Sequence, residues 1–339
     1  MQTMDLKQQY ETLKSEQPNL RIRDIAKNMQ VGEGQLVALR VGDGVTRLEG
    51  DFKELLKEVG SMDKVMALTR NDDAVHERKG VYNNVSFEGP VGLVLDQNID
   101  LRLFMMHWAF GFAVSEGDRH SLQFFDKSGE AVHKIYLTED SNKEAYDAIV
   151  AKYTAAEQNS DMNTAPYDAA PAELPDSAID AAAFQQGWLN LKDTHEFYGL
   201  TRTHKLTRTQ ALRLAPEGHA MQVDNSIGVK MLETAAERQV PIMAFVANRG
   251  CIQIHTGTVT KLMETGPWFN VLDPDFNLHL RQEKVASTYV VKKPSVDGIV
   301  TSIEIFDEKG EMIIQYFGKR KPGIPELEEW RQIVADITA

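Results

Sequence analysis

The chain has 339 residues, of which 42% are hydrophobic and 26% are charged. This length and composition suffice for two ordinary hydrophobic cores, so we expect two domains. Acidic residues outnumber basic ones by 50 to 37, and the net charge of -13 disfavours an extended surface for nucleic acid or anionic lipid. The single cysteine, Cys251, excludes an internal disulfide and a zinc site built from cysteines.

The amino-terminal stretch is polar and lacks the apolar core of a signal peptide, and no apolar run approaches the length of a membrane span. From these features we expect a soluble cytoplasmic protein that is not inserted in a membrane.

The predicted elements begin with helices at Leu6–Gln17 and Ile22–Met29 and a short helix at Asp51–Glu58. Short runs of alternating character follow, punctuated by Gly, Asn and Asp, which is typical of antiparallel strands. We predict these strands at Val91–Leu95, Leu101–Met106, Phe110–Val114 and Ser121–Phe125. A helix at Tyr146–Tyr153 closes this part of the chain.

Residues 154–182 are rich in Ala, Pro, Asp, Glu and Ser, a composition that predicts an exposed linker. After it the order repeats, with helices from Phe184 to about Arg238, strands from Ile242 to Phe317 and a last helix at Pro325–Ile337. We therefore predict an N-terminal repeat at 1–153, a linker at 154–182 and a C-terminal repeat at 183–339.

The two halves also share sequence. When Val65–Leu103 is set over Ile242–Leu280 without a gap, 11 of 39 positions are identical. Both halves continue into a Phe-Asp-x-x-Gly-Glu turn, at Phe125–Glu130 and Phe306–Glu311. The predicted fold class is α+β with an internal duplication, in which each half has N-terminal helices, a mainly antiparallel sheet and a closing helix.

His195 is one of nine histidines, and its neighbours distinguish it. Asp193 followed by Glu196 fits a capping box, which would place His195 in the first turn of a helix. A neutral imidazole there can ligate a metal, but a histidine in a first turn is more often only a tolerated polar residue. The duplication gives His195 no chemically similar counterpart, and it pairs Arg102 with His279.

No compact motif selects a conventional reaction. The chain has no H-E-x-x-H, no cysteine pair, no Gly-rich phosphate loop and no G-x-S-x-G. These absences disfavour a multi-ligand metal site, nucleotide chemistry and a serine hydrolase. They leave a site in which one side chain ligates a metal that a large organic ring already holds.

Basic residues next to aromatic ones mark two further segments. Strand alternation would put Arg102, Phe104, Met106 and Trp108 on one face, unless the arginine merely lies over a half-exposed strand. Near the carboxyl end, basic residues could either protect a strand edge or pair with the carboxylates of an anionic ligand. These residues are Lys292, Lys293, Lys319, Arg320 and Lys321.

The chain resembles the bacterial haemin-transport and haemin-degrading factor family, which comprises cytoplasmic haem-binding proteins of Gram-negative haem-uptake systems. The matching motifs follow one another over nearly the full length. They include Asp100-Leu-Arg-Leu-Phe, His120-Ser-Leu-Gln-Phe-Phe-Asp, Asp193-Thr-His-Glu-Phe, Leu206-Thr-Arg-Thr-Gln-Ala, Gln222-Val-Asp-Asn-Ser and Lys293-Pro-Ser-Val-Asp-Gly.

The resemblance implies one haem b (iron protoporphyrin IX) in a cleft between sheets and helices. His195 matches the proximal iron ligand of the family, and Arg102 matches its distal arginine. Lys293 and Arg320 match positions near the haem edge and its propionates, and Arg208 is counted with the haem-binding residues. The ring is expected to contact Phe104, Phe245, Tyr316 and Phe317. Because the family commonly has a tyrosine in place of Phe317, no hydroxyl role is expected there.

Three functions follow. The first is a cytoplasmic haem-binding protein that receives haem after uptake, possible partners being a haem ABC transporter and a downstream haem-accepting or haem-degrading enzyme. The second is oxygen-dependent haem degradation that releases iron, with Arg102 on the distal side and an external electron donor. The third comes from Arg23–Arg40, whose spacing is that of a DNA-binding helix-turn-helix. A similar rhythm at Lys205–Leu214 instead favours a helix pair that packs on the sheet.

Overall fold

The computed structural model describes residues 5–321 and 323–339, so the first four residues of the predicted N-terminal repeat lie outside it. The α-helices are α1 (Leu6–Glu16), α2 (Ile22–Met29), α3 (Glu33–Ala38), α4 (Phe52–Glu58), α5 (Lys143–Tyr153), α6 (Ala181–Leu189), α7 (Glu196–Thr203), α8 (Arg208–Arg213), α9 (Ile227–Glu237) and α10 (Glu328–Thr338). Four short 3-10 turns are also described, at Val59–Met62, Met105–His107, Asp176–Ala178 and Gln282–Lys284.

The strands of the first half are β1 (Val45–Leu48), β2 (Asp63–Arg70), β3 (Ala74–Gly80), β4 (Ser86–Glu88), β5 (Val91–Leu95), β6 (Asp100–Phe104), β7 (Phe110–Glu116), β8 (Arg119–Phe125) and β9 (Ala131–Ser141). Those of the second half are β10 (Ala220–Val223), β11 (Ile242–Ala247), β12 (Cys251–Gly257), β13 (Leu262–Thr265), β14 (Trp268–Leu272), β15 (Phe276–Arg281), β16 (Ser287–Ser295), β17 (Gly298–Phe306) and β18 (Met312–Gly318).

The chain forms two compact units, and each unit includes a short segment from the other half of the sequence. The first unit comprises 1–70, 77–168 and 248–253, and the second comprises 71–76, 169–247 and 254–339. The predicted linker is divided between the units at Asp168, so its two parts belong to different units.

In the first unit, strands follow one another in the order β1-β7-β8-β9-β2-β3, and β4-β5-β6 forms a meander. The pairs are antiparallel, as in the register that sets Met66 opposite Tyr136. Helix α4 begins at the cap Asp51, and α5 begins at the cap Asn142. Both helices bury an apolar face, including Leu55 of α4 and Ile149 of α5, in the core of this unit.

The second unit repeats this plan with the order β10-β16-β17-β18-β11-β12 and the meander β13-β14-β15. Met243 lies opposite Phe317, which corresponds to the pairing of Met66 with Tyr136 in the first unit. Helices α9 and α10 bury Met231 and Trp330 in its core. The predicted fold class, an α+β duplication with antiparallel sheets, is therefore confirmed.

One turn shows how closely the backbone is duplicated. The Asn71 amide donates to the carbonyl oxygens of Ala247 and Ile313, at 3.2 and 2.8 Å, and its oxygen accepts two backbone N–H groups. The Asn248 amide donates to the carbonyls of Arg70 and Val132, at 3.0 and 2.8 Å, and likewise accepts two N–H groups. An asparagine side chain thus satisfies equivalent backbone groups in each unit.

The linker residues are mostly exposed, but each part is hydrogen-bonded to its own unit. In the first unit, Ala165 N donates to the carbonyl of Lys127 at 2.7 Å. In the second, Gln210 donates to the carbonyl of Leu174 at 2.6 Å, and Asp176 pairs with Arg213 at 2.8 Å. Besides these backbone and ionic contacts, Met162 packs against apolar core residues of the first unit.

Candidate functional site

His195 is the cap residue that precedes α7, and its side chain is 90% exposed. The imidazole Nδ1 lies 2.5 Å from Asp193 Oδ1, and the backbone N–H of His195 donates to the same oxygen at 2.8 Å. The backbone hydrogen bond lowers the pKa of Asp193, and the contact with the imidazole adds to this effect. Asp193 therefore holds one side of the ring, and Nε2 has no hydrogen-bond partner within the described chain.

The capping box at this position differs from the prediction. Glu196 does accept from the backbone N–H of Asp193, at 3.3 Å, and from that of Lys192, at 2.8 Å. The carboxylate of Asp193, however, bonds to His195 instead of a later amide. The helix consequently begins at Glu196, and His195 lies one residue before the first turn in which it was expected.

Arg320 belongs to the surroundings of His195. The N–H of Val296 donates to the carbonyl of Lys192 at 2.9 Å, which joins the β16–β17 turn to the loop before α7. In the same turn, Asp297 lies 3.7 Å from the guanidinium of Arg320. The charge of Arg320 also helps to lower the pKa of Asp193. The buried Nε of Arg320 has no hydrogen-bond partner among the described residues, so the hydrogen-bonding capacity of this guanidinium is not filled.

Lys293 and Arg208 meet in a buried ion cluster of the second unit, and both pair with Glu304. Glu304 Oε1 accepts from Lys293 at 2.7 Å and from Arg208 at 2.6 Å, and Oε2 accepts from Arg208 Nε at 2.9 Å. The ammonium of Lys293 and the guanidinium carbon of Arg208 lie 4.9 and 4.5 Å from the ring centroid of Phe197. Lys293, predicted at the haem edge, is thus buried against an internal carboxylate.

The cluster contains two cations and one carboxylate. Burial lowers the pKa of Lys293 to about 8, although Glu304 opposes the shift. Burial would raise the pKa of Glu304, but the charges of Arg208 and Lys293 hold it well below its usual range. An uncompensated positive charge inside a protein favours a nearby anion.

The predicted ring-contacting aromatics separate into two groups. The rings of Phe245 and Phe317 are 5.0 Å apart, and both residues are partly exposed. The side chain of Tyr316 points to the face opposite that of Phe317, because neighbouring residues of a strand alternate between faces. It is completely buried in the apolar core, and its hydroxyl has no partner among the described residues. Phe245 and Phe317 therefore remain together on the other face, and Tyr316 belongs to the core.

Arg102 and Phe104 lie on β6 of the first unit and are partly exposed. The guanidinium of Arg102 pairs with Asp100 and also donates to the carbonyl of Leu101 at 3.2 Å. Phe104 N donates to the carbonyl of Gly250 at 2.9 Å, which fixes the end of the strand. The alternation that would extend the face to Met106 and Trp108 is wrong, because β6 ends at Phe104 and a 3-10 turn follows.

Two buried polar clusters of the first unit were not predicted. His133 Nδ1 lies 2.8 Å from Thr69 Oγ1, His133 Nε2 lies 2.6 Å from the Tyr82 hydroxyl, and Thr69 donates to Cys251 Sγ at 3.3 Å. We call this the His133 network. One neutral tautomer satisfies it, with Tyr82 donating to Nε2 and Nδ1 donating to Thr69. Burial lowers the pKa of His133 to about 3 and raises that of Cys251 to about 12.

The other cluster is ionic. Glu33 pairs with Lys134 and lies 3.8 Å from Arg23, which in turn lies 3.6 Å from Glu130. Burial would lower the pKa of Lys134, but the nearby Glu33 carboxylate outweighs it, so that this pKa is raised. Neither cluster has a motif. For Lys134, and for Glu304 of the second unit, the sequence offered one indication of burial: each is a charged residue within an otherwise apolar strand.

The remaining site predictions concern nucleic acid, metal and membrane. Helix α3, the second helix of the proposed DNA-binding pair, buries Glu33, Gly34 and Leu36–Ala38, so little of it is exposed to enter a groove. Within residues 5–321 and 323–339, no group of three or more His, Cys, Asp or Glu side chains is placed to hold a metal ion. The helices of this described part are all too short or too polar to span a bilayer.

Fold and side chains together define a class of protein: a duplicated α+β chain that exposes a histidine held by an aspartate, with an incompletely paired arginine close to that aspartate. Residues 30–153 and 205–337 match the family described as the haemin-degrading HemS.ChuX domain. The chain belongs to this family, as the resemblance of its motifs predicted.

Relatives with similar sequence extend over nearly the whole chain. The hemin transport protein HmuS of Yersinia pestis is 39% identical over 98% of this chain and 97% of its own length. The haem-binding protein PhuS of Pseudomonas aeruginosa, in its apo structure, is 48% identical with a TM-score of 0.95, covering 97% of each chain. ChuS, described as an E. coli haem oxygenase, is 35% identical with a TM-score of 0.88, covering 99% of this chain and all of its own.

Proposed function

We propose that this protein binds one haem b as cargo, in the cytoplasm, after uptake and passes it on for iron acquisition. The observation that carries the proposal is the exposed imidazole of His195, whose Nδ1 is held by Asp193 while Nε2 is available. A hydrogen-bonded carboxylate orients an imidazole and increases its basicity, which suits an iron ligand. Relatives described as hemin transport and haem-binding proteins support the same conclusion.

The cationic side chains suit the carboxylates of haem. Arg320 has an unpaired buried Nε and a weak ion pair with Asp297, so it can donate to a propionate. Arg208 and Lys293 supply the excess positive charge of their cluster. Phe245 and Phe317 offer apolar surface for the ring. We assign Arg102 and Phe104 to the distal side by the family resemblance.

A handover function would involve the cytoplasmic part of a haem transporter as donor and a haem-accepting or haem-degrading enzyme as acceptor. One histidine ligand is easier to exchange than two, so single ligation by His195 suits transfer to an acceptor. The second candidate function is haem degradation, which the similarity to the haem oxygenase ChuS favours. That reaction would need dioxygen and an electron donor, and Arg102 could hydrogen-bond a group on the distal side.

The test of iron ligation is His195→Ala. We expect this variant to change the Soret and ligand-field bands of the haem complex far more than alanine at any other histidine. Single alanine variants at the other eight histidines provide the controls. An unchanged spectrum for His195→Ala, together with a large change for His107→Ala or His279→Ala, would contradict the assignment.

Reductant added to the haem complex under air separates the two functions. A Soret band that persists supports a carrier, and its loss with a new bile-pigment absorbance supports an enzyme. For Arg320→Ala, we expect a loss of affinity for haem of about one to two powers of ten, with a smaller loss for the propionate diester. Equal losses for both ligands would show that Arg320 does not contact the propionates.

A further inference from the structure

Glu304 is buried and pairs with two cations that lie near the first turn of α7, the helix that His195 precedes. Its carboxylate accepts from Lys293 and Arg208, and the hydroxyl of Ser302 donates to it at 3.1 Å. The side chain of Glu304 has no measurable exposure. All of these bonds are made inside the second unit. Because hydrogen bonds between charged groups are strong, Glu304 holds both cations in place.

The two cations in turn hold Phe197, the second residue of α7. They lie 4.5 and 4.9 Å from its ring centroid, and the ring of Trp188 on α6 meets it edge-on at 4.6 Å. Phe197 is 1% exposed. Cations near a ring and an edge-on aromatic partner each favour particular orientations of that ring, so the position of Phe197 is strongly determined.

The position of His195 depends on this anchor because its other contacts are few. The imidazole has a single hydrogen-bond partner, Asp193, in the described chain. At the start of α7, Glu196 N donates to the carbonyl of Asp193 at 3.1 Å, and the next two backbone bonds are longer: 3.3 Å from Phe197 N to the carbonyl of Thr194 and 3.4 Å from Tyr198 N to that of His195. Phe197 is therefore the main buried contact that fixes the helix start.

We infer that Glu304 is a positioning residue for His195, because it holds Arg208 and Lys293 against Phe197 and thereby fixes the first turn of α7. The inference rests on the proposed role of His195 as the iron ligand. Its consequence is that the orientation of the ligand is set by a fully buried carboxylate that does not contact the imidazole.

The first unit provides a matched control. Glu33 is also a buried carboxylate between a lysine and an arginine, Lys134 and Arg23. No residue of α7 belongs to that cluster. Glu33→Gln and Glu304→Gln therefore make the same chemical change in two buried clusters, of which only one contacts Phe197.

The first measurement uses the protein without haem. We expect Glu304→Gln to accelerate amide hydrogen exchange of the peptide covering 193–200 by about tenfold. The reason is that weaker cation–ring contacts would reduce the protection of the helix start. Glu33→Gln should leave that peptide unchanged. Equal acceleration in both variants, or none in Glu304→Gln, would overturn the inference. If Glu304→Gln does not fold, Phe197→Leu and Lys293→Met replace it, with Lys293→Arg as the variant expected to retain protection.

The second measurement uses the haem complex. We expect Glu304→Gln to shift and broaden the iron–histidine stretching band of the ferrous complex, while Glu33→Gln leaves it at the wild-type frequency. If His195→Ala shows that this band does not come from His195, the proposed function fails. The exchange experiment then still judges the role of Glu304, because it needs no haem.

Discussion

The two units have the same strand order but bury different side chains at equivalent places. In the first unit, the His133 network is a buried chain of hydrogen bonds. At the positions that match it, the second unit has only apolar residues of its core. The matched pairs are Thr69 with Val246, Tyr82 with Val259, His133 with Ile314 and Cys251 with Ala74. Backbone turns were thus retained after duplication, while interior chemistry diverged.

The ion clusters differ in a second way. In the first unit, Arg23 contacts both Glu33 and a further carboxylate, Glu130. In the second, Arg208 and Lys293 share Glu304. Burial lowers the pKa of Lys293 to about 8 despite Glu304, whereas the Glu33 carboxylate outweighs burial and raises the pKa of Lys134. In the unit that carries His195, two cations therefore share one buried carboxylate.

The largest expected effect is on stability when the central carboxylate of either cluster is removed. Glu304→Gln and Glu33→Gln should each lower the free energy of unfolding by roughly 3–5 kcal/mol, because buried cations lose their partner. Glu304→Gln should cost more, since it leaves two cations without any carboxylate. Urea denaturation of both variants measures this, and a loss below about 1 kcal/mol for either would contradict the assigned pairing.

The duplicated asparagine turns should respond alike. Asn71→Ala and Asn248→Ala each remove four hydrogen bonds to the backbone. We expect each to lower the free energy of unfolding by about 2–4 kcal/mol, because each bond contributes about 0.5–1.5 kcal/mol and some are replaced by water. Differential scanning calorimetry can compare the pair. Widely different losses would show that the two turns are not energetically equivalent.

Mild acid should destabilise the protein through His133. Its folded pKa is about 3 and its ordinary pKa is 6.5, so the unfolded chain binds a proton first as the pH falls below 6.5. The free energy of unfolding should fall by about 2 kcal/mol between pH 6.5 and pH 5 from this group alone. His133→Ile, which introduces the residue type of the second unit, should remove that part of the pH dependence. An identical slope in urea denaturation of both proteins would refute it.

Alkaline pH should change the free energy of unfolding by a smaller amount. The contributions of Lys293 and Lys134 should be opposite in sign. Because the pKa of Lys293 is lowered, its contribution to stability rises as the pH increases from 8 toward 10.5. Relative to Lys293→Met, the wild type should gain about 1 kcal/mol between pH 8 and pH 9. Lys134→Met provides the comparison, because the raised pKa of Lys134 predicts no such gain. Parallel pH profiles for wild type and Lys293→Met would contradict the shift.

Periodicity and punctuation predicted much of the fold. The helix at Ile22–Met29 and the strand at Val91–Leu95 were predicted with their observed bounds, because local patterns of apolar residues determine them. The strand expected at Leu101–Met106 ends two residues early. Its alternation continues in sequence, but a 3-10 turn at Met105–His107 changes the direction of the side chains.

The candidate site was less accessible to sequence reasoning. Lys293 was recognised as basic but not as buried, because its partner Glu304 lies on the next strand and only the pairing of β16 with β17 brings them together. The core position of Tyr316 follows from the alternation that leaves Phe317 on the other face, and could have been inferred from adjacency alone. The roles of His195 and Arg102 in haem binding remain predictions that the variants above test.

Each unit includes a short segment from the other half of the sequence. A chain cut after Asp168 would leave its first fragment without 248–253, and with them Asn248 and Cys251. Two separately produced fragments would have to meet in solution before either unit had its full set of strands. Joining both copies in one polypeptide replaces that encounter, which depends on protein concentration, by an intramolecular event at a high effective concentration.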